Sequence, residues 1–244
     1  MPKTRPRAQR QTPRSRKSEP DAASRRVPAE ARRRQLLALS ARILTDEGLE
    51  RLEITLLAER AGVSRPLVYR LFPSRNALVR AVLADFTAVI SERFQRAILR
   101  ALPNAAANGG SSGVAAIESI TTLFVEACCD AIEQKGAGPW LLLLDAQGAD
   151  PQVARLGREA LSALLGPWQE QLAGFTGSPP RRAANHLWVI VAAGRAAIGG
   201  WIDGSLSRSE AVSDATRAVS ALVAVFRAPE TPSRGRGSGK APRR

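Results

Sequence analysis

Between Ala29 and Arg227 the apolar residues recur three and four positions apart, and no segment alternates with the two-residue period of a strand. The pattern predicts an all-α body. A first helix from about Ala29 to Glu47 buries Leu36, Leu39, Ile43 and Leu44 and stops at Gly48, a residue free to take a left-handed terminus. A second runs from about Ile54 to Ala61 and ends at Gly62; Ser64 is placed to cap a third, with Pro66 in its first turn. Pro73 ends that helix and Ser74 caps a fourth, whose stripe of Leu78, Val82, Phe86, Val89, Ile90, Phe94 and Ile98 reaches to about Arg100. That is long enough to join two domains. Residues 103–113 read as a flexible connection. Further helices are expected at about 114–135, 138–147, 151–175, 179–203 and 208–227.

Charge changes the picture mainly at the two ends. The 244 residues carry a formal net charge of +14. Residues 1–34 hold 12 basic against 3 acidic residues and 228–244 hold 5 against 1, whereas 35–227 hold 19 against 18. The body is therefore close to neutral, and the segments 1–28 and 228–244 read as a disordered basic arm and tail. Such a balance argues against a neutral metabolic enzyme as the default and toward a polyanionic partner or basic tails. The arm has two open readings, a solubility tail or a segment lying along a nucleic-acid backbone or minor groove.

Candidate chemistry is sparse. The single histidine, His186, leaves no triad and no histidine metal site, and the adjacent Cys128 and Cys129 read as buried small hydrophobes. No nucleophile elbow, phosphate loop, metal cluster or paired carboxylates stand out, so the expectation is no enzyme, no cofactor and no metal. The longest apolar stretch, Leu187 to Ile202, is shorter than the ~20 residues of a membrane span and contains Arg195, so a buried helix is expected and no membrane partner. With no signal-peptide pattern at the amino terminus, the cytoplasm is the expected location.

One stretch stands apart. From Ser64 through Ala84 there are four arginines, Arg65, Arg70, Arg75 and Arg80, and no acid. They overlap residues 53–72, EITLLAERAGVSRPLVYRLF, where Leu57, Ala58, Ala61, Val63, Val68 and Leu71 are spaced to pack two short helices around a corner at Gly62. That is a helix-turn-helix. Its second helix leaves Arg65, Leu67, Tyr69 and Arg70 toward solvent, in a form that fits the DNA major groove.

Leu57-Ala58, the run Ala61-Gly62-Val63-Ser64, Val68-Tyr69, Phe72, Arg75 and Leu78 together make residues 30–90 resemble the DNA-binding domain of the TetR (tetracycline-repressor-like) family of transcriptional regulators. The resemblance covers about a quarter of the chain. It implies that Ser64, Arg65, Pro66, Leu67 and Arg70 belong to the DNA-reading surface, that Tyr69 and Arg75 hold phosphates, and that Thr55 approaches the duplex. Three positions depart from the family pattern: Glu53 replaces the usual Thr or Ser cap, Leu49 replaces an aromatic, and Leu71 replaces His or Tyr.

The resemblance further implies that residues 91–227 form a helical effector-binding and dimerisation domain. Phe86, Phe124, Trp140, Trp168, Phe175 and Trp188 are candidates to line a cavity for a small apolar effector, each with the competing reading of ordinary core. Trp188, Val191, Ile198, Trp201, Val219, Leu222 and Phe226, on the stripes of the last two helices, are candidates for a two-fold dimer interface, with an intramolecular core as the competing reading. The expected molecule is a homodimeric regulator bound to double-stranded DNA at a palindromic operator, nucleoid-associated when bound, acting as a repressor released by its ligand. The alternative is a ligand-independent architectural DNA-binding protein.

Overall fold

The computed structural model describes residues 28–107, 113–144 and 150–227. All but the last residue of the expected arm, the whole expected tail, the middle of the expected connection and the end of the helix expected at 138–147 lie outside the described residues. Among the described residues the chain is all-helical: α1 (Ala29–Glu47), α2 (Ile54–Arg60), α3 (Arg65–Leu71), α4 (Arg75–Ala107), α5 (Gly113–Lys135), α6 (Gly138–Leu144), α7 (Pro151–Thr176), α8 (Pro180–Ile202) and α9 (Arg208–Phe226). A single turn of 3-10 helix, Leu49–Arg51, joins α1 to α2.

The helix ends follow the expected punctuation with two exceptions. Gly48 and Gly62 sit at φ of 83° and 62°, a region L-residues rarely adopt. At Gly62 the corner is closed by two backbone bonds, Val63 N–H to the Ala58 carbonyl at 3.0 Å and Gly62 N–H to the Glu59 carbonyl at 3.1 Å. Ser74 caps α4, its hydroxyl accepting from the Ala77 N–H at 3.1 Å. Ser64 occupies the cap position of α3, but its side chain accepts no capping bond. The other exception is the end of α4, which continues to Ala107 instead of stopping near Arg100; its last residues, Ala105 to Ala107, are the strongest helix formers available.

α4 organises the packing. It packs against α1, α5, α6 and α7, while α8 pairs with α9 and α9 covers α5. Its buried residues Leu78, Val79, Val82, Leu83, Phe86, Ile90 and Phe94 belong to one continuous cluster. That cluster holds Leu57, Val68 and Phe72 of the helix-turn-helix together with Leu143, Leu161 and Ile198 of the later helices. Two cores are thus threaded on one stripe.

A second bridge between the halves is made by backbone. α6 begins where the chain crosses α1 so closely that a Cβ on Gly138 would lie 2.5 Å from both the carbonyl carbon of Leu44 and the amide nitrogen of Thr45. The Gly138 N–H donates to the Thr45 hydroxyl at 3.0 Å, fixing the approach. Neither neighbour is a flexible side-chain tip, so the contact has no room to give. Gly138→Ala is expected to destabilise the fold by roughly 1–3 kcal/mol, the usual range for overpacking a close contact; a denaturation midpoint equal to that of the wild type would contradict this packing.

Candidate nucleic-acid interface and an apolar cavity

The helix-turn-helix is rigid because its inner faces are fully used. Leu57, Val68 and Phe72 are at most 1% exposed, and the Arg33 guanidinium of α1 lies 4.8 Å from the centroid of the Phe72 ring, pinning the end of α3. On the outer side of α3, Arg65, Pro66, Tyr69 and Arg70 are exposed, Tyr69 to 50%. Leu67 and Thr55 are half-buried beside them, and Ser64 is exposed at the start of the helix. Among the described residues Arg65 and Arg70 form no salt bridge. The neighbouring Arg60 differs, since Glu47 takes both ends of its guanidinium, one at 3.0 Å. That pairing holds the Glu47 carboxyl below its usual range, against the opposing effect of desolvation. A surface of two free guanidiniums, a phenol and a proline matches what base edges and phosphates require.

Arg75 is elsewhere. It does not face the same way as Arg65 and Arg70, and the expectation that it holds a phosphate is corrected by its contacts. Its Nε donates to the Leu52 carbonyl at 3.0 Å and one terminal nitrogen donates to the Leu49 carbonyl at 2.8 Å, so the fork is spent on the segment linking α1 to α2. The other terminal nitrogen reaches Asp150 Oδ2 at 3.2 Å. Asp150 is the cap of α7, its Oδ1 accepting from the N–H groups of Gln152 and Val153. The Val153 N–H first, then the Gln152 N–H and Arg75, outweigh desolvation and hold the Asp150 carboxyl below its ordinary value of 3.8. Two more contacts continue the line along α4 and α7: Asn76 Nδ2 to Gln152 Oε1 at 2.5 Å and Arg80 to Glu159 at 3.1 Å. The sequence placed Arg80 on the surface, where it is, but could not place its partner 79 residues away.

The carboxyl-terminal helices enclose a cavity of ≈ 400 Å³. Phe124 from α5, Trp140 from α6 and Trp168 and Phe175 from α7 stand in its wall. Phe86 does not; it is 1% exposed within the core of α4. Trp188 does not either, lying on the outside of α8 and 41% exposed. Both candidates fail for the same reason, that an aromatic at helical spacing reveals a face but not what lies opposite it. The wall also contains Phe94, Leu161, Leu165 and Ile198, aliphatic or aromatic positions indistinguishable in sequence from core, and one charged residue, Arg195. Phe94 meets Phe124 and Trp168 edge-on at ring separations of 5.4 and 5.1 Å. Cys128 lines the cavity too, but burial pushes its thiol far above the usual range, leaving it inert.

The stripes expected at a dimer interface divide between inside and outside. Ile198 and Val219 are buried and, with Val191, face the cavity, so they serve the interior of one chain. Trp201 and Leu222 are half-buried, and Phe226 stacks on His186 at 3.9 Å with the rings 4° from parallel. What remains uncovered on α8 and α9 is Trp188, Val189, Ala192, Ala196, Ala221, Ala224 and Val225, the last 77% exposed. No helix among the described residues is long and apolar enough to cross a membrane, and no group of three or more His, Cys, Asp or Glu side chains among them is arranged to hold a metal ion.

Residues 36–82 match the family model described as bacterial regulatory proteins, tetR family. Over 138 residues the chain is 28% identical to the HTH-type transcriptional activator FasR of Mycolicibacterium smegmatis (strain ATCC 700084 / mc(2)155), an alignment spanning 57% of this chain and 57% of that relative. Among solved structures, a tetR-family transcriptional regulator from Streptomyces coelicolor superposes with a TM-score of 0.50 at 20% identity, over 81% of this chain and 82% of that one. A putative TetR-family transcriptional regulator from Rhodococcus sp. gives 0.52 at 20% identity, over 79% and 98%. At that identity the two structures speak to the fold.

Arg75→Met is expected to lower the free energy of unfolding by roughly 1–3 kcal/mol, because the Leu52 carbonyl loses the guanidinium donor and the Leu49 carbonyl keeps only the Leu52 N–H; chemical denaturation with an unchanged midpoint would contradict the fork. Asp150 gives a pH signature. A carboxyl held below its unfolded value stabilises the fold above that value and loses the contribution as pH falls through it. Thermal melts from neutral pH down past 3.8 should therefore fall less steeply for Asp150→Asn than for the wild type; parallel curves would be the contrary result.

Proposed function

Since the chain belongs to the TetR family, we propose that it is a DNA-binding transcriptional regulator that binds a palindromic operator as a homodimer and is released by a small apolar ligand. It represses where that operator overlaps a promoter. The observation that carries the reading is the exposed face of α3, where Arg65, Tyr69 and Arg70 stand free of acids on a helix whose opposite face is locked into the core. In this reading α3 lies in the major groove, Arg65 and Arg70 reach base edges and Tyr69 a phosphate, with Thr55 contributing from α2. Pro66 and Leu67 supply apolar contact with the groove.

Homodimerisation is supported by the apolar strip on α8 and α9 that no other described element covers, which includes the exposed Trp188 and Val225. A two-fold axis through it presents α3 twice, and two-fold presentation selects a site of matching symmetry. Ligand control is supported by the connections between cavity and reading head. α6 contributes Trp140 to the cavity wall and touches α1 through Gly138; α7 contributes Trp168 and reaches the α1–α2 segment through Asp150 and Arg75. A ligand that prefers one spacing of these helices need supply only ~1–3 kcal/mol of coupling to alter operator occupancy.

Selection from a randomised duplex pool followed by titration tests the proposal. The wild type should enrich one inverted repeat, and Tyr69→Ala and Arg70→Ala should each weaken binding to it by roughly tenfold or more, the scale of one good groove contact. Failure to enrich any repeat, or equal affinity for the selected and random duplexes, would reject a sequence-specific regulator and leave the architectural alternative. For the dimer, Trp188→Glu should shift the chain to monomer in sedimentation at micromolar concentration; a wild-type chain already monomeric there would reject the two-fold arrangement.

A further inference from the structure

The cavity wall has almost no polar character, and its composition singles out one residue. Among the lining residues none is Asp or Glu, and the neutral polar groups Thr121 and Gln171 accompany a single cation, Arg195 of α8. The lining is otherwise aliphatic, aromatic and thiol. Guanidinium stays protonated at any physiological pH, so Arg195 sets a fixed positive charge at the edge of an apolar wall. Among the described residues its one hydrogen bond runs from a terminal nitrogen to the Leu144 carbonyl at 3.0 Å. No acid among the described residues forms a salt bridge with Arg195.

Position completes the argument. Arg195 is exposed, whereas its wall neighbours Val191 and Ile198, four residues before and three after, are half-buried and buried. It therefore stands where the apolar chamber meets solvent, with the stem of its side chain against the wall and a guanidinium edge left over. We propose that the ligand of this cavity is an apolar molecule ending in a carboxylate, its body enclosed near Phe124, Trp140 and Trp168 and its charged end held by Arg195. This rests on the reading of the cavity as a ligand site and adds the chemistry of its occupant. The carboxylate completes the fork that Leu144 occupies on one side and remains partly hydrated, which spares it the full penalty of burial.

The competing view of Arg195 is that it merely ties α8 to the backbone of α6. The two are separated by binding selectivity, which such a tie does not influence. Three probes share one ten-carbon body: decanoate, 1-decanol and decylamine. Binding is followed by calorimetry at mildly alkaline pH and by the fluorescence of Trp140 and Trp168, which line the cavity. The wild type should bind decanoate roughly 10- to 100-fold more tightly than 1-decanol, the worth of a hydrogen bond to a charged group, and decylamine most weakly. Arg195→Met should bind 1-decanol as the wild type does and lose the preference for decanoate; Arg195→Lys should keep part of it. Equal wild-type affinity for the acid and the alcohol, a comparison needing no variant, would overturn the proposal while leaving the cavity as a ligand site. So would a preference for decanoate that survives in Arg195→Met. Absence of binding by all three probes would overturn both the proposal and the cavity reading.

Discussion

The structure depends on the burial of one stripe along α4. A helix of 33 residues is about 50 Å long at 1.5 Å per residue, longer than a small domain is wide. Its apolar positions from Leu78 to Phe94 cannot be satisfied by the helix-turn-helix alone, because its two short helices offer too little surface. They are satisfied by both halves of the chain, by α1 and by α5, α6 and α7. The same residue set therefore belongs to two cores, and neither can shift along α4 without disturbing the other. Close packing makes this coupling stiff, since a dense interior transmits strain rather than absorbing it.

Polar contacts then determine which movements remain open. Arg75 fastens the α1–α2 segment to the start of α4 and reaches the cap of α7, while Gly138 seats α6 on α1 with no spare volume. The exposed ion pairs farther along α4, such as Arg80 with Glu159, each add little on their own. With Arg75–Asp150 and Asn76–Gln152 the Arg80 pair lines one seam between α4 and the start of α7. The cavity is bordered by α6 and α7, the two helices that carry these attachments. A molecule filling it would press on the same elements that hold the helix-turn-helix.

Much of this was legible in the chain itself, and the reasons are local. Glycines at 48 and 62, Ser74 before α4 and the three- and four-residue spacing of leucines set the helix limits to within a few residues, because those signals act within one turn. The helix-turn-helix was legible for the same reason, its corner, core and charge lying within twenty residues. Arg75 was misplaced because the sequence fixes the face of a side chain but not its partner, and Asp150 is 75 residues away. Phe86 and Trp188 were misplaced into the cavity by the same limit. The stripes of α8 and α9 read as one face, whereas Val191 and Ile198 turn inward and Trp188 outward, a division only the neighbouring helices decide. Arg195 gave no signal at all, since a lone arginine in an apolar run reads as an interruption.

The account's central claim is that cavity and reading head share one mechanical element. Hydrogen exchange in wild type and in Leu165→Trp, which fills the cavity with a larger ring, tests it most directly. Shared packing predicts altered protection in the backbone amides around Trp140 and Trp168 and also in the first turns of α4 and in α2. Changes confined to the amides around the cavity, with α2 and the start of α4 exchanging as in the wild type, would contradict it.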